Sequence, residues 1–404
     1  MRAARGGARV GIAQMDLKAA SWRAWPRRRG KAAADAGGCP RQLPLWKKAL
    51  YGATTTLLAL ATAEVLLRAP YFTRALTHWE SGRLEVYQGR EALATRYDPT
   101  LGWALRPDLN HPHFFGDGRD LVTNSHGIRA RGEHRPAPPP GKRRAIALGD
   151  SFTFGHGIGN DESWPAQLDT LLPDWEVLNL GMMGYGLDQA YLLYLREGVK
   201  YEHDAVLLGL ITDDFRRLLT DRGGGGFYKP RFQLQGTRLK LTNVPAPEPR
   251  GHWVFPEERL RFFLEYFALT RALARLVPQP DPAHWGDDAE RSRPIGEAIL
   301  TDLARRCRER GVALMIVWLP ALHEYQHPAA RRLRDAHRNW VHELSRQEEF
   351  GVVDLTTAVD ELTSSSVDGL FLNEIWRHPN VHYHHLVAIS LRESLQSFAE
   401  TLAE

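Results

Sequence analysis

Five short apolar runs constrain the fold of this chain more than any other feature. Residues 145–148, 176–180, 205–211, 312–319 and 351–355 are rich in Val, Ile or Leu and do not alternate apolar with polar positions. Strands buried on both faces read this way. Helix-type stretches at 162–172, 188–200, 294–310, 329–348 and 385–402 lie between or after them. Strand–helix alternation of this kind predicts an α/β fold built on a parallel sheet with helices on both faces. No internal repeat is present.

Residues 222–290 break the rhythm. Gly223 to Gly226 form a flexible hinge, 231–241 read as a hairpin turning at Gln235-Gly236, and 257–276 read as an amphipathic helix carrying Phe262, Phe263, Tyr266 and Phe267. That aromatic face either packs on the body, covers a substrate as a lid, or meets a membrane surface. Its place after the third strand, at the carboxyl edge of the sheet, is the reason to consider a lid.

Upstream, the chain changes character. The net charge of +4 conceals an asymmetry: residues 1–48 carry 12 Lys/Arg against Asp16 and Asp35, so the other 356 residues hold −6. The tail therefore reads as a basic, disordered extension, and an acidic body argues against a nucleic-acid partner. Residues 49–67 are mostly Ala, Leu, Thr and Val, with Lys47 and Lys48 before and Arg68 behind. They are read as an N-terminal transmembrane helix, with the N-terminus cytosolic and the rest of the chain outside. A signal peptide cleaved near Ala61-Thr62-Ala63, giving a secreted protein, is the alternative. Residues 68–142 form a stalk or small subdomain ending in the stiff Pro136-Ala137-Pro138-Pro139-Pro140-Gly141 linker. The domain proper is 143–404, with its insertion at about 222–290.

The first apolar run ends in Gly149-Asp150-Ser151, and a helix-type segment follows. A serine at the carboxyl end of a strand is where an α/β fold can expose a nucleophile to helix-terminal amides. Far downstream stands His378-Pro379-Asn380-Val381-His382-Tyr383-His384-His385, ahead of the last helix. Between the two lies Asn179-Leu180-Gly181-Met182-Met183-Gly184-Tyr185-Gly186. Together these blocks resemble the GDSL/SGNH hydrolase family over roughly 143–215 and 294–404. The segment 97–131, with Tyr97-Asp98-Pro99 and Thr123-Asn124-Ser125-His126-Gly127, is similar to the lead-in of its membrane-anchored bacterial members.

The resemblance implies a flavodoxin-like, three-layer α/β/α domain and an enzyme acting on ester bonds. It makes Ser151 the nucleophile and His378 the base, and places the backbone N–H groups of Ser151 and Gly184 in the oxyanion hole, with Gly181 in reserve. Two positions depart from the family. Asp213, in Ile211-Thr212-Asp213-Asp214, stands where an asparagine usually completes the hole; it donates only if protonated, and otherwise points elsewhere. The aspartate that usually precedes the histidine is missing, and Glu374 is the nearest carboxylate to orient it, with Asp368 or a bare Ser–His dyad as alternatives.

The implied substrate is an ester-bearing small molecule, lipid or glycan, met outside the cytosol. O-acyl transfer to a cell-surface glycan would use the same site, and a binding module with a decayed site is the reading from another class. Glu374, His378, His382, His384 and His385 sit close enough in sequence to suggest zinc, but Pro379 interrupts the run and no zinc-hydrolase signature accompanies it. Only two cysteines occur, Cys39 and Cys307, without metal-type spacing. Neither a metal nor a cofactor is expected.

Overall fold

The structure is a computed structural model that describes residues 44–68, 94–223, 228–248, 285–361, 367–372 and 377–401. Residues 1–43 of the basic tail, the 257–276 helix and Glu374 lie outside the described residues. The chain divides into two compact units, 1–58 and 59–404.

In chain order the elements begin with α1 (Leu45–Arg68). Two short antiparallel pairs follow, β1 (Thr95–Asp98) with β2 (Gly102–Leu105), and β3 (Asn110–His111) with β4 (Leu121–Val122). Next come β5 (Arg143–Leu148), α2 (Ser151–Phe154), α3 (Trp164–Leu171), β6 (Trp175–Asn179), α4 (Leu187–Arg196), β7 (Ala205–Leu210) and α5 (Thr212–Arg216). A hairpin of β8 (Arg231–Gln235) and β9 (Arg238–Thr242) leads to α6 (Trp285–Glu309) and β10 (Ala313–Trp318). The last elements are α7 (Leu322–Gln326), α8 (Pro328–Glu348), β11 (Gly351–Asp354), α9 (Thr356–Asp360) and α10 (Val381–Thr401).

The five apolar runs form one parallel sheet in the order β6-β5-β7-β10-β11. Numbered among themselves they read 2-1-3-4-5, the flavodoxin-like order, whose switch point lies between β5 and β7. Alternate residues of each strand feed two separate cores. Ile146, Leu148, Leu178, Val206, Leu208, Leu210, Leu314, Ile316 and Trp318 pack with α4, α6, α8 and the 94–131 segment. Ala145, Ala147, Val177, Ala205, Leu207, Met315 and Val317 pack with α3 and α10. Burial on both faces removes the apolar–polar alternation of a one-sided sheet, and each large aliphatic side chain so buried contributes about 1.5–3 kcal/mol. The 94–131 segment shares the first core through Leu101, Trp103, Leu105 and Leu121. After the insertion begins, Lys229 is fully buried and pairs with Asp188 on α4.

The membrane-anchor expectation is corrected. No helix among the described residues is long and apolar enough to cross a membrane. α1 has 24 residues, so length is not the obstacle. Between Lys48 and Glu64 the uncharged run is 15 residues, or about 22 Å of helix against a hydrocarbon core of about 30 Å. That run also contains Gly52, Tyr51 and four threonines, of which Thr54 and Thr56 hydrogen-bond back to Leu50 and Gly52.

Candidate active site

At the end of β5, Gly149 adopts φ +144°, a conformation that side-chain-bearing residues rarely take. A Cβ there would stand 2.4 Å from Thr153 Oγ1 and 2.6 Å from the Gly209 carbonyl oxygen. Glycine therefore lets the chain turn at once into α2, whose first residue is Ser151. Asp150 caps that helix: its Oδ1 accepts from Phe152 N at 2.8 Å. Its Oδ2 accepts from Arg217 Nη1 at 3.0 Å and lies 3.4 Å from Ser151 Oγ.

His378 Nε2 lies 3.1 Å from Ser151 Oγ. Both residues are buried, at 4% and 7% exposure. The local sequence explains the placement. Pro379 keeps His378 out of helical geometry, and the His378 carbonyl accepts from Leu372 N at 2.8 Å. Asn380 then caps α10, its Oδ1 accepting from His382 N at 2.9 Å. The His378 ring stacks on His156, with centroids 4.3 Å apart and planes 38° from parallel.

Among the described residues, neither Ser151 N–H nor Gly184 N–H has a hydrogen-bond partner, whereas Gly181 N–H donates to Asn179 Oδ1 at 3.0 Å. The loop that carries Gly184 is pinned on both sides of it. Met182 N donates to the Gly149 carbonyl at 3.0 Å, and Trp103 Nε1 to the Met183 carbonyl at 3.0 Å. The Tyr185 hydroxyl donates to the Trp103 carbonyl at 2.5 Å, and the Tyr185 carbonyl accepts from Arg217 Nη1 at 2.8 Å.

The Ile211-Thr212-Asp213-Asp214 run departs from the pattern that the resemblance implies. Asp213 Oδ1 accepts from Arg216 Nη1 at 2.8 Å. Burial pushes its carboxyl up, but Arg217, His323 and Arg216 together hold it below the ordinary aspartate value. A carboxyl held this way favours its ionised form, which has no proton to donate to an oxyanion. Asp214 turns inward instead. Its Oδ2 caps Ile211 N at 3.0 Å and its Oδ1 accepts from Arg217 at 2.7 Å. Burial and the neighbouring Asp150 push its carboxyl well above the ordinary value.

Of the two carboxylates considered for orienting the histidine, Glu374 lies outside the described residues and Asp368 is exposed and paired with Arg377. The histidine cluster disperses. His378 meets Ser151, His384 Nδ1 accepts from Trp164 N at 3.0 Å, and His385 Nδ1 lies 2.9 Å from Gln167 Oε1. Among the described residues no group of three or more His, Cys, Asp or Glu side chains is placed to hold a metal.

Three neighbours of the site were not legible beforehand. His156 packs its ring against His378, and Arg217 bonds to Asp150, Tyr185 and Asp214. Arg129, 3% exposed, donates to the carbonyls of Phe154, Gly155 and Ile158 at 2.6, 2.6 and 2.8 Å and so holds the far end of α2. Burial pulls its guanidinium down to about 9. The polar turn Thr123-Asn124-Ser125-His126-Gly127, two residues ahead of Arg129, was the one available signal; the other two residues have none in sequence.

No protein-family model and no curated protein sequence matches the chain. Among solved structures it is similar to a member of the lipolytic protein G-D-S-L family from Veillonella parvula, at 12% identity and TM-score 0.36, covering 62% of this chain and 97% of that one. It is also similar to the psychrotrophic esterase EstA from Pseudoalteromonas sp., at 12% identity and TM-score 0.35, covering 64% and 100%. An acetyl xylan esterase from Geobacillus stearothermophilus is similar at 16% identity and TM-score 0.36, covering 62% and 92%.

Proposed function

We propose that the protein is a serine esterase that hydrolyses ester bonds through an acyl-enzyme on Ser151. The observation that carries this reading is the 3.1 Å approach of His378 Nε2 to Ser151 Oγ at the carboxyl end of the first sheet strand. A nucleophile and its base within hydrogen-bond reach are what acyl transfer requires, and a decayed binding module has no need to keep them together.

In this reading His378 Nε2 takes the Ser151 proton as Oγ attacks the ester carbonyl. The N–H groups of Ser151 and Gly184 receive the oxyanion; one such donor is worth about 3–4 kcal/mol of transition-state stabilisation. The imidazolium then protonates the departing alkoxide, which leaves the acyl group on Ser151. A water molecule deprotonated by His378 hydrolyses that ester and returns the proton to Ser151. The His156 ring covers one face of the imidazole, and Glu374 is the carboxylate proposed to orient it.

The test is p-nitrophenyl acetate hydrolysis by the full chain beside S151A and H378A. Turnover lost by roughly 10³-fold or more in both variants supports the reading. Equal turnover in all three proteins, or none in folded wild type, refutes it.

A further inference from the structure

The family pattern completes its oxyanion hole with an asparagine side chain, and this chain has ionised Asp213 at that position, turned onto Arg216. Something else must fix the geometry of a hole left with two backbone donors. The geometry points to Arg217 as a positioning residue that sets the Gly184 amide against Ser151. This inference rests on the serine esterase reading and extends it to a residue that touches no substrate.

Four observations converge on Arg217. Its Nη1 donates to Asp150 Oδ2 at 3.0 Å, and Asp150 is the cap of the nucleophile helix. The same nitrogen donates to the Tyr185 carbonyl at 2.8 Å, on the residue directly after Gly184. It also reaches Asp214 Oδ1 at 2.7 Å, while Asp214 Oδ2 caps the first turn after β7. Finally, a Cβ on Gly186 would lie 2.8 Å from Arg217 Cβ, so the backbone of the Gly184 loop comes close enough to the Arg217 stem to exclude any larger residue there. One guanidinium thus ties together the carboxyl ends of β5, β6 and β7, the three strands that surround the site.

The electrostatics favour this arrangement. Asp150 and Asp214 are 1% exposed and lie side by side; two bare carboxylates there would repel. Burial and the neighbouring Asp150 push the Asp214 carboxyl well above its ordinary value, and the Arg217 guanidinium lies against both acids, where it offsets their repulsion. Arg217 itself is held above the usual arginine value, chiefly by Asp214 and Asp150 acting against burial. All three contacts leave from the one nitrogen, Nη1; a lysine ammonium carries the same charge but ends one bond nearer the backbone, so lysine keeps the charge and falls short of the three acceptors.

The experiment compares wild type, R217K and R217M in kcat and KM for p-nitrophenyl acetate and in inhibition by phenylboronic acid, with melting temperature read alongside. Boronates become tetrahedral on the serine and so report the oxyanion geometry apart from ground-state binding. The expected result for R217K is a melting temperature close to wild type and kcat lower by about tenfold. KM should be unchanged, and the phenylboronic acid Ki should rise by the same factor as kcat falls. R217M should lose more of both. Wild-type kcat and Ki in R217K overturn the inference alone, as does a loss that falls on KM. A folded wild type without turnover overturns the esterase reading and this inference with it.

Discussion

Glu324 is the sharpest handle on the physics beside the site. It stands on α7, just past the carboxyl end of β10, and is 1% exposed. Its Oε1 meets the Thr212 hydroxyl at 2.5 Å and its Oε2 accepts from Ala321 N at 2.9 Å. Burial lifts its carboxyl to about 8, against an ordinary 4.5. The folded protein therefore keeps a proton that the unfolded chain releases above pH 4.5, and the stability this proton supports is lost as pH rises from 4.5 towards 8. The slope approaches 1.4 kcal/mol per pH unit, which integrates to about 3–4 kcal/mol between pH 5 and 8. Glu324→Gln removes the titration and keeps the bonding, because the amide oxygen can accept from Ala321 N and the amide N–H can donate to Thr212. Asp214, His337 and His384 titrate alike in both proteins and cancel. At about 2–4 °C per kcal/mol for a domain of this size, the melting temperature of E324Q relative to wild type should rise by about 10 °C between pH 5 and pH 8. Circular dichroism melts at the two pH values read this directly. Melting curves that keep a constant separation across pH refute the reasoning.

Asp213→Asn should change kcat by less than about threefold, since Asp213 is held by Arg216; a loss of about 100-fold, the size of an oxyanion donor, would place it in the hole after all. His384→Phe leaves the buried Trp164 N–H without its acceptor and should destabilise the fold by about 1–3 kcal/mol, read as a lower melting temperature, with an unchanged one as the contrary result. Trp103→Phe keeps the ring but removes the donor to the Met183 carbonyl. Its kcat should fall about fivefold, the equivalent of about 1 kcal/mol of lost positioning, and wild-type turnover would show that the loop does not need this contact.

The parallel sheet was legible because burial on both faces leaves a compositional mark. All five runs are strands, each within two residues at either end. α6 begins at Trp285, nine residues ahead of the sequence boundary at 294, because the charged residues Asp288, Glu290, Arg291 and Arg293 hide the helical periodicity. The anchor reading carried the span past Glu64 to Leu67, whereas the uncharged stretch ends at Ala63 after 15 residues and no helix among the described residues is long and apolar enough to cross a membrane. Within the site, Ser151 and His378 announce themselves through Gly149 and Pro379, neighbours whose backbone constraints can be read locally. Arg217, His156 and Arg129 cannot be read that way. Their roles come from contacts between segments 25 to 222 positions apart in the chain: Arg129 on Phe154, Arg217 on Asp150, His156 on His378. Asp213 shows the limit of a positional match: the residue aligns with the family's donor, but its own partner, Arg216, lies one helical turn further on.

The most direct test of the central claim is to treat the full chain with a fluorophosphonate and locate the adduct by intact mass and peptide mapping. The account predicts one adduct, on Ser151, formed rapidly in wild type and abolished or greatly slowed in H378A. A folded wild-type protein that stays unmodified, or one labelled at another residue, would contradict it.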